Sequence, residues 1–317
     1  MSAKGMDGEW QLVLICWGTK YGPAEINAQI RAARAGAHPP ARVVLITDRP
    51  REGLAPMVEA RAFPPEYLAP ELIRGGCQAK LAMFDRRVLP ADLPAIFVDL
   101  DTVVMGDLSR LLSACRAPQE IALLQSAILP FGALARLVCR LSGGRRYARG
   151  NSSVVVWHPA HCGFVAERFW QEMARHPGFG IKPLRADERF ISWVAQPVMR
   201  AVPRGLAVKF PTEFMFPWLW FGRAYGALPW VRARREGLVA ITLPGEEVKA
   251  EVLLSLPEGA VVVDRKGRRM EWSDRYLGPV RQRLLSRLRA DLAPEDSGRV
   301  DQGRADLPGA EGQGEGA

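Results

Sequence analysis

Two short runs made almost wholly of apolar residues constrain this chain most: Gln11-Leu-Val-Leu-Ile-Cys-Trp17 and Arg42-Val-Val-Leu-Ile-Thr47. A half-wet strand alternates polar and apolar side chains, whereas a continuous apolar run needs cover on both faces, the condition of a strand inside a parallel sheet. The stretch between them reads as a helix. Pro23 suits its first turn, Ile26, Ile30 and Ala33 recur at helical spacing, and Gly36 ends it. Strand, helix, strand is the opening of a parallel α/β sheet, which gathers ligands at the C-terminal ends of its strands.

Further along, Gln78–Leu89 reads as a helix carrying Lys80, and Ala95–Val98 as a strand. Asp107 is placed to cap a short helix through Leu112. Ile121–Leu124 and Ser153–Trp157 read as strands, and a helix follows with Val165, Phe169 and Met173 on one face. Residues 127–149 look inserted: Leu134, Leu137, Val138 and Leu141 alternate with Arg136 and Arg140. Residues 275–292 read as a basic amphipathic helix with Leu277, Val280, Leu284, Leu288 and Leu292 as its stripe. Residues 293–317 are rich in Gly, Pro, Ala and acid and are expected to be disordered, leaving 1–292 as one domain.

The first ten residues lack a signal peptide's basic and apolar regions, and no apolar run reaches the roughly 18 residues of a membrane span. The expected location is the cytoplasm, with peripheral contact to the inner membrane face through the basic C-terminal helix. The five cysteines form no CxxC and agree with a reducing compartment. The net charge of +9 sits in a chain where Arg outnumbers Lys and Ala, Gly and Pro abound, so composition explains much of it; the remainder suits phosphates or anionic lipid. Neither basic region interleaves aromatics as a nucleic-acid surface would, so no nucleic acid is expected.

The sharpest chemical feature is Phe97-Val-Asp-Leu-Asp-Thr-Val103. In extended chain Asp99 and Asp101 point to one side, and Leu100 points back to the core. Two hard oxygen donors at the C-terminal edge of a sheet suit Mn²⁺ or Mg²⁺ shared with substrate phosphates, the charge neutraliser for a departing diphosphate. The same DLDTV resembles the opening motif of haloacid-dehalogenase-type phosphatases, with the first Asp as nucleophile. That motif normally follows the first strand of its domain, whereas nearly a hundred residues precede it here, and no GDxxxD-like loop follows.

Several motifs together resemble a bacterial glycosyltransferase group related to the glycogenin and lipopolysaccharide-galactosyltransferase families. They are Trp17-Gly-Thr-Lys-Tyr-Gly22 with Asn27, Lys80-Leu-Ala-Met-Phe84, Asp99-Leu-Asp101, Gly150-Asn-Ser-Ser-Val-Val-Val-Trp157 and Asp187-Glu188, in the family's order over roughly 10–202. The resemblance implies an α/β, Rossmann-like GT-A fold with a mostly parallel central sheet flanked by helices. It implies a nucleotide-sugar donor, a UDP-sugar, and a glycan or lipid-linked acceptor in cell-surface polysaccharide synthesis. By it, Trp17, Gly18 and Tyr21 line the nucleotide pocket, Asp48 meets base or ribose, and Lys80 meets sugar or phosphate. Asn151 and Ser152 bond the donor sugar, and Asp99 and Asp101 hold the metal.

By the same resemblance Asp187 binds sugar hydroxyls or steadies an oxocarbenium-like transition state. Its position before Phe190, Ile191 and Val194 also suits a helix N-cap. Glu188 stands where the family usually has Gln; in an inverting reaction one of this pair could be the base, while the resemblance favours retention. The family closes its metal site with a His-Gly. Matched by length, Lys266 of Gly259–Gly267 falls at the His, and a protonated lysine cannot ligate a cation. Either the Asp pair holds the metal alone, or Lys266 replaces its charge, or turnover is lost and a sugar-nucleotide binder remains. His38, His158, His161 and His176 read as solvated or capping. The aromatic run Phe210, Phe214, Phe216, Trp218, Trp220, Phe221 and Tyr225 reads as core packing or an acceptor wall.

Overall fold

The computed structural model describes residues 6, 8–125 and 131–292. The expected tail over 293–317 and residues 127–130 of the insertion lie outside them. The strands are β1 Gln11–Cys16, β2 Arg42–Thr47, β3 Val58–Ala62, β4 Ala95–Val98, β5 Thr102–Val104 and β6 Ile121–Gln125. After them come β7 Gly150–Trp157, β8 Met199–Val202, β9 Ala207–Lys209 and β10 Ala240–Thr242. Seven form the central sheet in the order β3-β2-β1-β4-β7-β6-β8. Strand β1 pairs in parallel with β2 and β4, β2 with β3, and β6 with β8, while β7 is antiparallel to both β4 and β6.

The reversal of β7 positions the site. The other six strands end at one edge of the sheet; β7 starts there. Gly150, Asn151 and Ser152 therefore share that edge with Trp17, Asp48 and Asp99. They lie within the strand rather than in a turn before Ser153.

Both faces of the sheet are buried, as continuous apolar strands require. Val13 and Ile15 pack on one face with Phe84, Phe97, Trp157 and Phe169. Leu12 and Leu14 pack on the other with Ile26, Ile30 and Leu111. Helix α1, Pro23–Arg34, supplies those two isoleucines, and its start is held by the Gly22 N–H donating to Glu25 Oε2 at 2.9 Å. Residues 78–84 form a 3₁₀ helix that stops before Asp85, short of the expected Leu89. The Asp85 carboxylate accepts from the Arg87 backbone N–H and guanidinium, a local side-chain alternative to the helix ladder.

The segment expected to be inserted contains α2, Ala133–Leu141. Two further helices matter here, α3 Phe164–Arg175 and α4 Asp187–Val194. Strands β5, β10 and β9 form a second sheet. Beside it, Phe210, Phe214, Trp272, Leu284 and Leu288 build a third core. Helix α5, Leu219–Ala227, and α6, Pro229–Glu236, lie between β9 and β10 in sequence.

The final helix, α7 Val280–Leu292, is separated from a short turn over Asp274–Leu277 by Gly278, whose φ of +73° lies in the left-handed region. Its stripe is buried at Val280, Leu284 and Leu288. Each such burial contributes about 1.5–3 kcal/mol, so these three residues belong to the fold. Arg283 turns inward as well, donating to the carbonyls of Glu236, Met105 and Leu238. Among the described residues no helix is long and apolar enough to cross a membrane.

Candidate active site

The first wall of the site is the loop after β1. Gly18 has φ +68° and its N–H donates to Asp48 Oδ2 at 3.1 Å. Arg51, with its side chain only 7% exposed, donates to Asp48 Oδ1 at 3.2 Å, Gly18 O at 2.9 Å, Tyr21 O at 3.1 Å and Thr47 Oγ1 at 2.9 Å. Burial pushes the Asp48 carboxyl up, and hydrogen bonds from Arg49 and Gly18 outweigh it, holding the group below its ordinary value. Asp48 is thus engaged in shaping the loop. Trp17 is half-buried, edge-on to Phe63 at 6.3 Å. Arg51, which the sequence reading did not single out, is the organiser of this wall; an arginine three residues after a strand-end aspartate was its local signal.

The acidic centre follows β4. The Thr102 N–H donates to Asp99 O at 2.9 Å, so Asp99–Thr102 is a tight turn rather than the extended chain that period-two spacing predicted. Leu100 still packs inward, against the second core cluster. Lys80 Nζ donates to Asp99 Oδ1 at 2.5 Å. Burial disfavours the ammonium, but Asp99 and Asp187 hold its pKa above the ordinary lysine value. Asp101 is different: its Oδ1 is buried and has no hydrogen-bond partner. Burial first, and Asp99 second, raise its pKa to about 6 against the pull of Lys80, Lys20 and Lys209. The Tyr21 phenol is raised by burial and by the same two aspartates.

Beside this centre, the start of β7 meets the start of α4. Ser152 Oγ donates to Asp187 Oδ2 at 2.7 Å. Asn151 Nδ2 donates to Glu188 Oε2 at 3.0 Å, and Arg149 Nη2 to Glu188 Oε1 at 3.0 Å. Asp187 is the first helical residue and its carboxylate turns to Ser152, so Ala186 holds the cap position and the N-cap reading does not hold. Burial raises the Asp187 pKa to about 6, with Lys80 and Ser152 opposing and Asp99 reinforcing. The Asp187 N–H donates to Gly76 O at 3.0 Å. Gly76 has no room for a side chain, since a Cβ there would lie 2.2 Å from Arg185 O. Cys77 follows in a left-handed conformation, φ +57°.

A cavity of about 430 Å³ joins Tyr21 and Asp101 to Lys20, Gly245, Glu246 and Lys249. Lys249 is half-buried and ion-paired with Glu246. Its field reaches Tyr21, together with that of Lys80. Lys266, the residue matched by length to the family's histidine, stands exposed on the turn between Val261–Val263 and Arg269–Glu271. It is not among the residues lining this cavity, and Asp264 beside it is tied to Arg268. Lys20 and Lys249 were missed. The signal for Lys249 was there, an apolar strand ended by Pro244-Gly245 with a lysine shortly after, the same grammar as the first strand.

Among the described residues no three His, Cys, Asp or Glu side chains gather to hold a metal. The two carboxylates and the orphaned Asp101 oxygen still fit Mn²⁺ or Mg²⁺ whose remaining oxygens come from phosphates and water. The histidines are elsewhere: His38 pairs with Asp107 at 3.0 Å, His158 accepts from Ala160 N, His161 packs edge-on to His158, and His176 faces Glu172. Phe210 and Phe214 are core, while Trp218 and Trp220 stack 6.2 Å apart in solvent.

No protein-family model and no curated protein matches this sequence. Solved structures do match. The galactosyltransferase LgtC, in complex with donor and acceptor sugar analogues, is similar at a TM-score of 0.53 and 11% identity, over 90% of this chain and 98% of that one. An active-site mutant of LgtC, glutamine to glutamate, gives a TM-score of 0.54 at 10% identity over the same shares. The bifunctional glycosyltransferase WbbM gives 0.51 at 17% identity, over 89% of this chain and 52% of WbbM. The architecture is the GT-A fold, which leaves the phosphatase reading of DLDTV without support.

Proposed function

We propose that this chain is a glycosyltransferase that moves a hexose from a UDP-sugar to a glycan or lipid-linked acceptor in cell-surface polysaccharide synthesis, with net retention. The observation that carries the proposal is the buried, unpartnered Asp101 Oδ1 at the sheet edge where Lys80, Asp99 and Asp187 converge. An orphaned carboxylate oxygen raises the cost of the empty site and lowers it once a cation arrives. A divalent metal held by Asp99 and Asp101 would supply charge neutralisation for the diphosphate.

The chain's own residues do the rest. The loop of Trp17, Gly18 and Tyr21, pinned by Asp48 and Arg51, receives the nucleoside. Lys20 and Lys249 face the diphosphate and stabilise charge on its departing oxygen. Lys80, the cation shared by Asp99 and Asp187, offsets the repulsion between the two carboxylates. Asp187, oriented by Ser152, opposes the positive charge that builds at the sugar's anomeric carbon. Asn151 and Glu188 position the sugar hydroxyls. An active-site mutant of LgtC carries a glutamine-to-glutamate change, the same change of residue type by which Glu188 departs from the family's Asp-Gln pair.

UDP release from a panel of nucleotide sugars, with Mn²⁺, with Mg²⁺ and with EDTA, tests the proposal. Metal-dependent release that disappears in Asp101→Ala is the expected result. The alternative outcome is a sugar-nucleotide binder without turnover. Donor binding with no release from any donor, with or without acceptor glycans, would select it.

A further inference from the structure

The segment that leaves β6 carries an apolar stripe into water beside the active-site edge. On α2, Leu134, Leu137 and Leu141 are 71%, 50% and 78% exposed. Their spacing of three and four residues puts them on one face. A helix of a soluble domain normally hides such a stripe, yet Ala135 is the buried residue of this one. Arg136 and Arg140 flank the stripe one turn apart, and among the described residues neither guanidinium has a hydrogen-bond or ion-pair partner. Residues 131–149 carry five arginines and no acidic residue. Beneath the helix, Arg136 and Arg140 share a cavity of about 560 Å³ with Arg168 and Trp193, a size that accepts a small charged headgroup. The segment returns to the sheet at Arg149, which donates to Glu188.

We infer that α2 is a docking surface for an anionic lipid bilayer. Its leucines enter the acyl boundary, its arginines take headgroup phosphates, and the edge bearing Asp187 faces an acceptor carried in that membrane. The docking stands on the stripe and the unpaired arginines; only the membrane-borne acceptor rests on the glycosyl-transfer reading. On α7, by contrast, Val280, Leu284 and Leu288 are buried. Trp218 and Trp220 are exposed, but the arginine beside them on α5, Arg223, is ion-paired with Glu271.

Sedimentation of the full chain with vesicles tests this. The chain is expected to sediment with phosphatidylcholine vesicles that contain phosphatidylglycerol, not with pure phosphatidylcholine, and less so as salt rises. Arg136→Gln with Arg140→Gln weakens binding roughly 30-fold, at about 1 kcal/mol per arginine near the surface. Leu134→Ser, Leu137→Ser and Leu141→Ser together abolish it. Both variants keep the wild-type melting temperature and vesicle-free UDP release, because the altered side chains lie outside the core and the donor site. Trp218→Ala with Trp220→Ala leaves binding unchanged. No sedimentation with the anionic vesicles, undiminished binding by the α2 variants, or loss in the tryptophan variant overturns the inference. A chain that docks but releases no UDP upholds the docking and overturns the transfer reading alone.

Discussion

The Ser152 hydroxyl donates to the Asp187 carboxylate at 2.7 Å, joining the start of the reversed strand β7 to the first residue of α4. A hydrogen bond to a charged group is worth about 1.5–3 kcal/mol. Ser152→Ala therefore lowers kcat/KM for UDP release by roughly 10–100-fold. It also removes one of the contacts that hold the Asp187 pKa down, so the acidic limb of the pH–rate profile moves to higher pH. An unchanged profile would exclude Asp187 from the titrating step.

Asp101 and Asp187 both stand at about 6 against an ordinary value of 3.8. Between those values the folded chain binds more protons than the unfolded one, so their contribution to stability is full below about pH 4 and is lost as pH rises through about 6. The expected loss is roughly 1–3 kcal/mol per group. Asp101→Asn removes one of the two titrations. Its urea midpoint, relative to wild type without metal, should gain as pH rises through this window.

Lys80 is the shared cation of Asp99 and Asp187. Lys80→Met leaves two buried carboxylates without it and destabilises the chain by about 3–5 kcal/mol, measured by urea unfolding at neutral pH. Lys80→Arg does not restore activity, because a planar fork does not replace a compact ammonium in a packed site.

Lys249→Ala is expected to lower kcat/KM for the donor on the order of 100-fold, whereas Lys266→Ala leaves it unchanged. The reverse pattern would return the diphosphate to the residue that length-matching chose.

Gly76→Ala drives a Cβ to 2.2 Å from Arg185 O. Backbone must move, at a cost of about 1–3 kcal/mol or more, and the Asp187 N–H loses its bond to Gly76 O. A lower melting temperature and weak UDP release follow. Gly75→Ala, where nothing lies within 4 Å, is the control.

Much of the fold was legible because it rests on local pattern. The apolar runs 11–17 and 42–47 required cover on both faces, and Ile26 and Ile30 marked the helix that covers one of them. Asp99 and Asp101 were legible as an acidic pair at a strand end, though not as members of a turn, since the Thr102 N–H to Asp99 O bond leaves no trace in period-two spacing. The helix expected over 78–89 stops at Phe84 because the Asp85 carboxylate captures Arg87.

By itself, then, the sequence determined a mostly parallel α/β sheet, the edge at which chemistry gathers, and the residue types found there. These follow from spacings of two to four residues, which set which face of a strand or helix is apolar. Tertiary structure alone decided that β7 runs backwards, so that Ser152 reaches Asp187 and Asn151 reaches Glu188. It also decided that Lys80 pairs with Asp99, and that Lys249 rather than Lys266 lines the cavity beside Asp101. Strand order and direction join segments tens of residues apart, and no local periodicity encodes which distant edge a side chain will meet.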